Sequence, residues 1–307
     1  METQSIQTAR YCGIDVAKQD LHVYFEGKRF KVPNAPGGFE TLLNQVPEGM
    51  FVVEATGGYE DAFVSFCAQH QRPVCVINPT RIRRYAQAKG LEAKTDPIDA
   101  EVIAEYATHF KPVPIQADYL QRKRLRELLS RRDDLIEMIN AERCRMEMAC
   151  HPQARQCIQE TLEHMKKQIA KIDQAVDSEM ATVEAQKERL CQIKGIGRVN
   201  AATALAFLPE LGALTDKQAA SLAGLAPYDH QSGKHKGHAF IRGGRGNLRV
   251  KLYMAAVCAS RYNSILKAFY QGLLAKGKPA KVALTAVMRK LVVLMNKLLR
   301  NPAFQLA

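Results

Sequence analysis

The sequence has no C-x-x-C pair among its eight cysteines and no apolar run long enough to span a bilayer. The start, METQSIQTARY, lacks an apolar h-region, and the most apolar late stretch, VALTAVMRKLVVLMNKLL, is broken by Arg289, Lys290 and Lys297. The expectation is a soluble, cytoplasmic protein with no membrane segment, whose cysteines are buried or free thiols in a reducing compartment. Cys144, Cys150, His151 and Cys157 cluster loosely, at a spacing that fits no familiar zinc site. Two further shortages are local. Residues 119–190 contain no glycine, and residues 192–307 contain three carboxylates against 18 lysines and arginines.

The second shortage makes the charge asymmetric. Residues 1–117 carry 12 basic against 14 acidic side chains and residues 118–191 carry 14 against 14, so the net charge of +13 arises wholly in the last third. A concentrated positive surface is the footprint of a protein that neutralises phosphates, whereas charge kept for solubility is mixed in sign. At 307 residues and 47% hydrophobic content, the chain can build about two domains with ordinary cores.

The first ~110 residues alternate strand-like and helix-like patterns. YCGIDVA, DLHVYF and RFKVPN read as three strands, followed by a helix near 38–46, the strand MFVVEA, a helix near 59–69, the strand PVCVIN, and helices after Pro79 and Pro97. A hairpin start followed by crossover helices implies a mixed sheet with helices on its faces, the ribonuclease H-like order. The glycine-free stretch reads as two long helices broken once, at His151-Pro152, and suited to a coiled-coil spacer or dimer arm. The expected organisation is an α/β domain over 1–112, a helical spacer over 113–190 and a mainly α domain over 191–307.

Four carboxylates stand out in the first domain. Asp15 lies within an apolar strand, where an uncompensated charge is costly, and Glu54 closes the strand FVVE just before ATGG. Asp96 and Asp99 in KTDPIDAEVIAEYA share a helix face. As a pair they also make a complete helix start without any metal, with Asp96 as cap and Pro97 in the first turn. If the strands neighbour one another, the carboxylates converge, and two such charges about 4 Å apart repel by about 4 kcal/mol at an effective dielectric of 20. A hard divalent cation, Mg²⁺ or Mn²⁺, offsets that repulsion.

In the last domain, IKGIGRVNAATALAFL resembles the turn of a helix-hairpin-helix, where Gly195 and Gly197 either bring backbone N–H groups to a phosphate or serve as a plain turn. The segment HQSGKHKGHAFIRGGRGNLRVKLYMAA places Ser232 among Lys234, Lys236, Arg242, Arg245 and Arg249, with His230, His235 and His238 nearby. Its local chemistry admits two descriptions: a solvated basic turn that contacts nucleic acid, or a serine nucleophile whose phosphate is held by cations.

Several patterns then coincide in order: GIDVAK, EATGGY, VINP, KTDPIDAEVIA, GIGRVNAATAL and GLAPYDHQSG followed by LYMAA. Together, from about Tyr11 to Leu299, they resemble the Piv and IS-one-ten insertion-sequence transposases. The resemblance implies a RuvC-like domain whose DEDD tetrad falls on Asp15, Glu54, Asp96 and Asp99 and binds Mg²⁺. It implies a transposase domain whose nucleophilic serine falls on Ser232 and forms a phosphoserine link to DNA. It further implies dimers and tetramers guided by a structured bridge RNA that pairs with donor and target DNA; Lys94, two residues before Asp96, is a further candidate nucleic-acid contact. A RuvC-like metal-dependent nuclease that uses water is the alternative, and an architectural nucleic-acid-binding protein is a third.

Overall fold

Residue alternation in the first strands decides how the amino-terminal unit is built. The computed structural model describes residues 10–91, 96–228, 231–232, 235–236 and 240–305. It divides into two compact units, Met1–Leu120 and Gln121–Ala307.

The first unit holds a five-stranded mixed sheet. Strands β1 (Tyr11–Val16), β2 (Asp20–Phe25) and β3 (Lys28–Pro33) form an antiparallel meander, after which β4 (Met50–Glu54) and β5 (Val74–Ile77) add parallel to β1, giving the order β3-β2-β1-β4-β5. Helices α1 (Pro36–Gln45), α2 (Asp61–Gln69), α3 (Pro79–Ala88) and α4 (Asp96–Phe110) fill the connections. Every strand and helix expected from the sequence of this unit is present, with ends shifted by no more than two residues.

Period-2 alternation sorts the strand residues to two faces. Cys12, Ile14, Val16, Leu21, Val23, Phe51 and Val53 enter one core, with Phe39 of α1 and Phe63 of α2. Phe39 and Phe51 each meet Phe63 edge-on, at 5.4 and 5.3 Å between centroids, the geometry that ring quadrupoles favour. The opposite parity, Val52, Cys75 and Ile77 with Tyr11 and Met50 at its margin, packs under Val102, Ile103 and Tyr106 of α4 and Ile82 of α3. Gly13 belongs to this second face. A Cβ there would stand 2.6 Å from Ala104 N and closer still to Ala100 O, so α4 lies directly on the β1 backbone.

The second unit is mostly helical. After α5 (Tyr119–Met148) and α6 (Pro152–Glu179) come a 3₁₀ turn (Ala181–Val183), α7 (Glu184–Cys191), α8 (Arg198–Phe207) and α9 (Asp216–Leu222). Four two-residue strands follow, β6 (Pro227–Tyr228), β7 (Gln231–Ser232), β8 (His235–Lys236) and β9 (Phe240–Ile241), then α10 (Gly246–Tyr262), α11 (Ser264–Ala275) and α12 (Ala280–Arg300). Leu135 and Ile139 of α5 meet Leu162 and Met165 of α6, so the two long helices form a pair with a narrow apolar seam. At their base, Leu125, Leu129, Val176 and Met180 join the core built around α12. The glycine-free stretch breaks twice rather than once: besides the turn at Pro152, the chain bends at Ala181–Val183 before α7.

Buried Asn296 on α12 is fully used. Its Oδ1 accepts from Gly212 N at 2.9 Å and its Nδ2 donates to Leu214 O at 2.8 Å, which fixes the loop before α9 and avoids the cost of an unpaired buried amide.

All eight cysteines are free thiols. Burial pushes Cys67 up to about 12 and Cys75 to about 11, values that leave these thiols protonated and unreactive at neutral pH. Among the described residues no helix is long and apolar enough to cross a membrane.

Candidate functional site

The parallel register of β1 and β4 pairs Gly13 with Val52 and Ile14 with Val53. One step further come Asp15 and Glu54, on adjacent strands that run about 4.8 Å apart. Both share parity with the face that α4 covers, at the carboxyl ends of their strands. Across the antiparallel side, Asp15 pairs with His22 of β2, and His22 with Lys31 of β3. One sheet face therefore carries a polar row, Glu54, Asp15, His22 and Lys31, where the neighbouring face carries a continuous apolar core. Lys31 is further tied to Asp20 at 2.8 Å.

Helix α4 packs on β1. Its first turns lie over Gly13, and the chain just past its end reaches Cys75, whose Sγ donates to Pro112 O at 3.4 Å and lies 3.5 Å from Met50 Sδ at the start of β4. Asp99 directly precedes Ala100, whose carbonyl lies against Gly13, two residues before Asp15 on the same face of β1. The backbone of Asp96 lies in α4, which starts one residue earlier than expected; its side chain lies outside the described residues, as does Lys94. Among the described residues, no group of three or more His, Cys, Asp or Glu gathers at metal-holding spacing. Asp15 and Glu54, side by side near the ends of β1 and β4, are oxygen donors of the kind that a hard divalent cation takes.

Sequence reasoning missed the residues that shape this rim. Glu60, 2% exposed, accepts from Thr56 N, Thr56 Oγ1 and Gly58 N at 3.1, 3.2 and 2.9 Å. Its carboxylate clamps the turn that follows Glu54, in which Gly57 and Gly58 adopt φ of 77° and 120°. Asn34 Nδ2 donates to Ala17 O at 3.0 Å and Tyr59 O at 3.1 Å, which ties the loop after Asp15 to the loop after Glu54. Helix α3, capped by Asn78 onto Thr80 N, exposes Arg81, Arg83 and Arg84 and forms a local cationic face in a unit whose total charge gives no hint of it. The run RIRR was the available signal.

In the second unit the short strands nest. β6 pairs with β9, and β7 with β8, in a register that sets Ser232 directly opposite His235. Gly233, Lys234, His230 and His238 lie outside the described residues, as do the side chains of Ser232, His235 and Lys236. At the base of the ribbon, the Arg242 guanidinium lies 5.0 Å from the Tyr228 ring centroid and 6.0 Å from that of Phe240, within cation–π range.

Three of the four remaining expected contact residues, Arg245, Arg249 and Gly195, have structural partners. Arg245 makes a bidentate pair with Glu210, both bonds 2.6 Å, and Arg249 Nη1 donates to Gly243 O at 2.7 Å. Gly243 and Gly244 take positive φ, and a Cβ on Gly244 would strike the Gly224 backbone, so this pair of glycines lets two loops meet. Gly195 (φ 111°) faces α10, where a Cβ would come within 2.7 Å of Ala259 Cβ; close helix packing accounts for it. Gly197, the N-cap of α8, has open space around it.

Burial raises the Glu210 carboxyl, but the Arg245 hydrogen bonds and the charges of Arg245 and Arg122 outweigh it and hold the group below its ordinary value. A depressed folded pKa contributes stability above the unfolded pKa that is lost as pH falls through the folded one. Arg245→Gln should therefore cost about 1 kcal/mol in urea melts at pH 7, with the difference from the parent shrinking below about pH 4. A pH-independent difference would show that Glu210 is not the partner that matters.

Comparison with known proteins places both regions. Residues 12–149 match the DEDD model of the IS110 group, described as Transposase, and residues 187–271 match the model described as Transposase IS116/IS110/IS902 family. The chain belongs to this transposase family. The pilin gene-inverting proteins of Moraxella lacunata and Moraxella bovis are each 28% identical to the transposase over 310 residues, covering 95% of this chain and 96% of theirs. The first matched segment contains all four carboxylates and the second contains Ser232, so each half of the chemistry expected of the transposase lies within a segment of its own.

Proposed function

We propose that the transposase recombines DNA through a serine-linked intermediate, with Ser232 as nucleophile and Asp15, Glu54, Asp96 and Asp99 as a Mg²⁺-binding tetrad on a RuvC-like, ribonuclease H-type sheet. The observation that carries this reading is the polar row on an otherwise apolar sheet. Asp15 and Glu54 sit side by side in register, and Ala100, the residue after Asp99, lies against Gly13 of the same strand face. The strand order β3-β2-β1-β4-β5, with β2 reversed, supports the ribonuclease H assignment. When bound, Mg²⁺ supplies Lewis-acid polarisation of the phosphodiester oxygens.

The chain's own groups do the rest. Attack by the Ser232 hydroxyl forms an O–P bond to the scissile phosphate as the P–O bond to one deoxyribose breaks and that sugar leaves as a hydroxyl. Attack by a second strand's hydroxyl reverses the step and frees the serine. The proton of Ser232 needs an acceptor, and of the three nearby histidines His235 is the one set opposite it in register. Linking the strand to protein conserves the ester for rejoining, which an inversion such as the relatives' names describe requires. The cationic last third grips donor and target DNA and a structured guide RNA. Homodimers and tetramers bring two sites together, with the α5–α6 pair as the assembly arm.

The test is direct. Transposase incubated with labelled donor and target DNA, Mg²⁺ and the element's flanking non-coding RNA should yield exchanged strands and a DNA adduct that survives denaturation. Mass spectrometry should map that adduct to the peptide bearing Ser232, and omission of the RNA should abolish exchange. Cleavage that leaves free ends and no adduct would instead establish a metal-dependent nuclease in which water attacks.

A further inference from the structure

A groove of about 940 Å³ opens in the second unit between α11 and α12, away from the Ser232 ribbon in sequence and unused by the chemistry above. Its floor is apolar, formed by Leu266, Val293 and Leu294, with two half-buried aromatic walls, Phe269 and Phe304. The charged residues of its rim are all cations: Lys194, Arg289, Lys290 and Lys297 are exposed, beside neutral Gln192, Asn263, Ser264 and Gln305, and no carboxylate lines it. Lys297 approaches Asp216 at 3.5 Å, while Lys290 lies over the Phe269 ring at 4.4 Å. The wall that carries Phe304 is fixed rather than trailing, because Arg189 Nη2 donates to Asn301 O and Pro302 O, both at 2.7 Å.

Apolar floor, aromatic walls and a rim of one charge sign define a narrow class of ligand: one with flat apolar faces and closely spaced negative charges. Unpaired nucleotides have both. Stacked bases of a duplex present phosphates but no free faces, so a duplex would meet the rim and leave the floor empty. Arg289 and Lys297 stand eight residues apart on α12, about 12 Å along the helix, enough to follow more than one backbone phosphate. We propose that this groove holds a short unpaired segment of the nucleic-acid substrate, its bases against Phe269 and Phe304 and its phosphates against Lys194, Arg289 and Lys290. The inference rests on the reading that the transposase engages nucleic acid, and it adds a second, single-strand-selective site to it.

Two probes test it on the full chain: a fluorescein-labelled oligothymidine of twelve nucleotides and a hairpin duplex of matched charge, followed by anisotropy across a salt series. Ala286→Trp fills the groove without altering charge; it should weaken oligothymidine binding about tenfold and leave duplex binding within about twofold. Arg289→Gln with Lys290→Gln should lower the logarithmic salt dependence for the single strand by about 1.4, the loss of two phosphate contacts. If Ala286→Trp disturbs folding, the unmodified protein still decides the matter: photolysis with 5-iodouracil in the oligonucleotide should place crosslinks on the peptides of Phe269 or Phe304. Equal weakening of both probes, crosslinks confined to other peptides, or a groove variant that changes the sedimenting mass with unchanged oligothymidine affinity would overturn the proposal, the last by assigning the groove to a protein partner. Failure of the parent protein to bind either probe would instead overturn the nucleic-acid reading on which it rests.

Discussion

Replacing Asp15 with asparagine should lower DNA strand cleavage by the transposase about a thousandfold while leaving its melting temperature in metal-free buffer unchanged or slightly raised. The two halves of this expectation have one cause. Asp15 and Glu54 stand one step past the Ile14–Val53 pair on adjacent parallel strands, so their like charges repel. Removing one charge relieves that repulsion, and asparagine keeps the shape. On the proposed reading the same removal deprives a divalent cation of a ligand, and a loss of several kcal/mol of transition-state stabilisation corresponds to about three powers of ten in rate. Thermal scans with and without Mg²⁺ add an independent reading. The parent protein should gain stability on adding metal by linkage, and Asp15→Asn should gain much less. Retention of cleavage by this variant would remove the carboxylate row from the chemistry, and an equal Mg²⁺ response in both proteins would remove it from metal binding.

Much of the first unit was legible because its signals are short-range. Alternation in DLHVYF and the apolar run of FVVE each report a face and a strand end without knowledge of the partner strand. The helix start at Asp96-Pro97 was equally local. What stayed hidden depends on partners distant in sequence. Nothing in PNAPG shows that Asn34 will join Ala17 to Tyr59, and nothing in GGYED shows that Glu60 will be buried beneath its own turn. His22 looks like an ordinary outward residue until the register sets it against Asp15.

In the second unit packing gives a second account of glycine and arginine residues whose pattern also suits ligand contact. Gly195 has to be glycine because α10 passes close by, and Arg245 spends both Nη groups on Glu210, one of the three carboxylates of the last third. Charge counts cannot separate an arginine that grips a neighbour from one that faces solvent. Conversely, the groove between α11 and α12 was invisible because its walls come from segments more than a hundred residues apart, Lys194 and Phe304 among them.

The placement of α4 rests on one glycine, and Gly13→Val should therefore unfold or loosen the first unit, with a loss of at least about 3 kcal/mol in urea or thermal melts. A Cβ at this position falls 2.6 Å from Ala104 N, against helix backbone that has no flexible end to move aside. Valine is otherwise well suited to a strand, so any loss reports the collision rather than propensity. Gly27→Ala is the control: Gly27 sits at φ 79° in the β2–β3 turn with nothing near its missing Cβ, and its cost should stay near 1 kcal/mol, the strain of a left-handed alanine. The consequence of the larger change reaches the site. If α4 lifts from β1, the turn that carries Asp96 and Asp99 lifts with it, and a Gly13→Val protein that still folds should lose its Mg²⁺ stabilisation while keeping all four carboxylates. A Gly13→Val protein that melts like the parent would mean that α4 does not rest on β1, and the convergence of the carboxylates would lose its support.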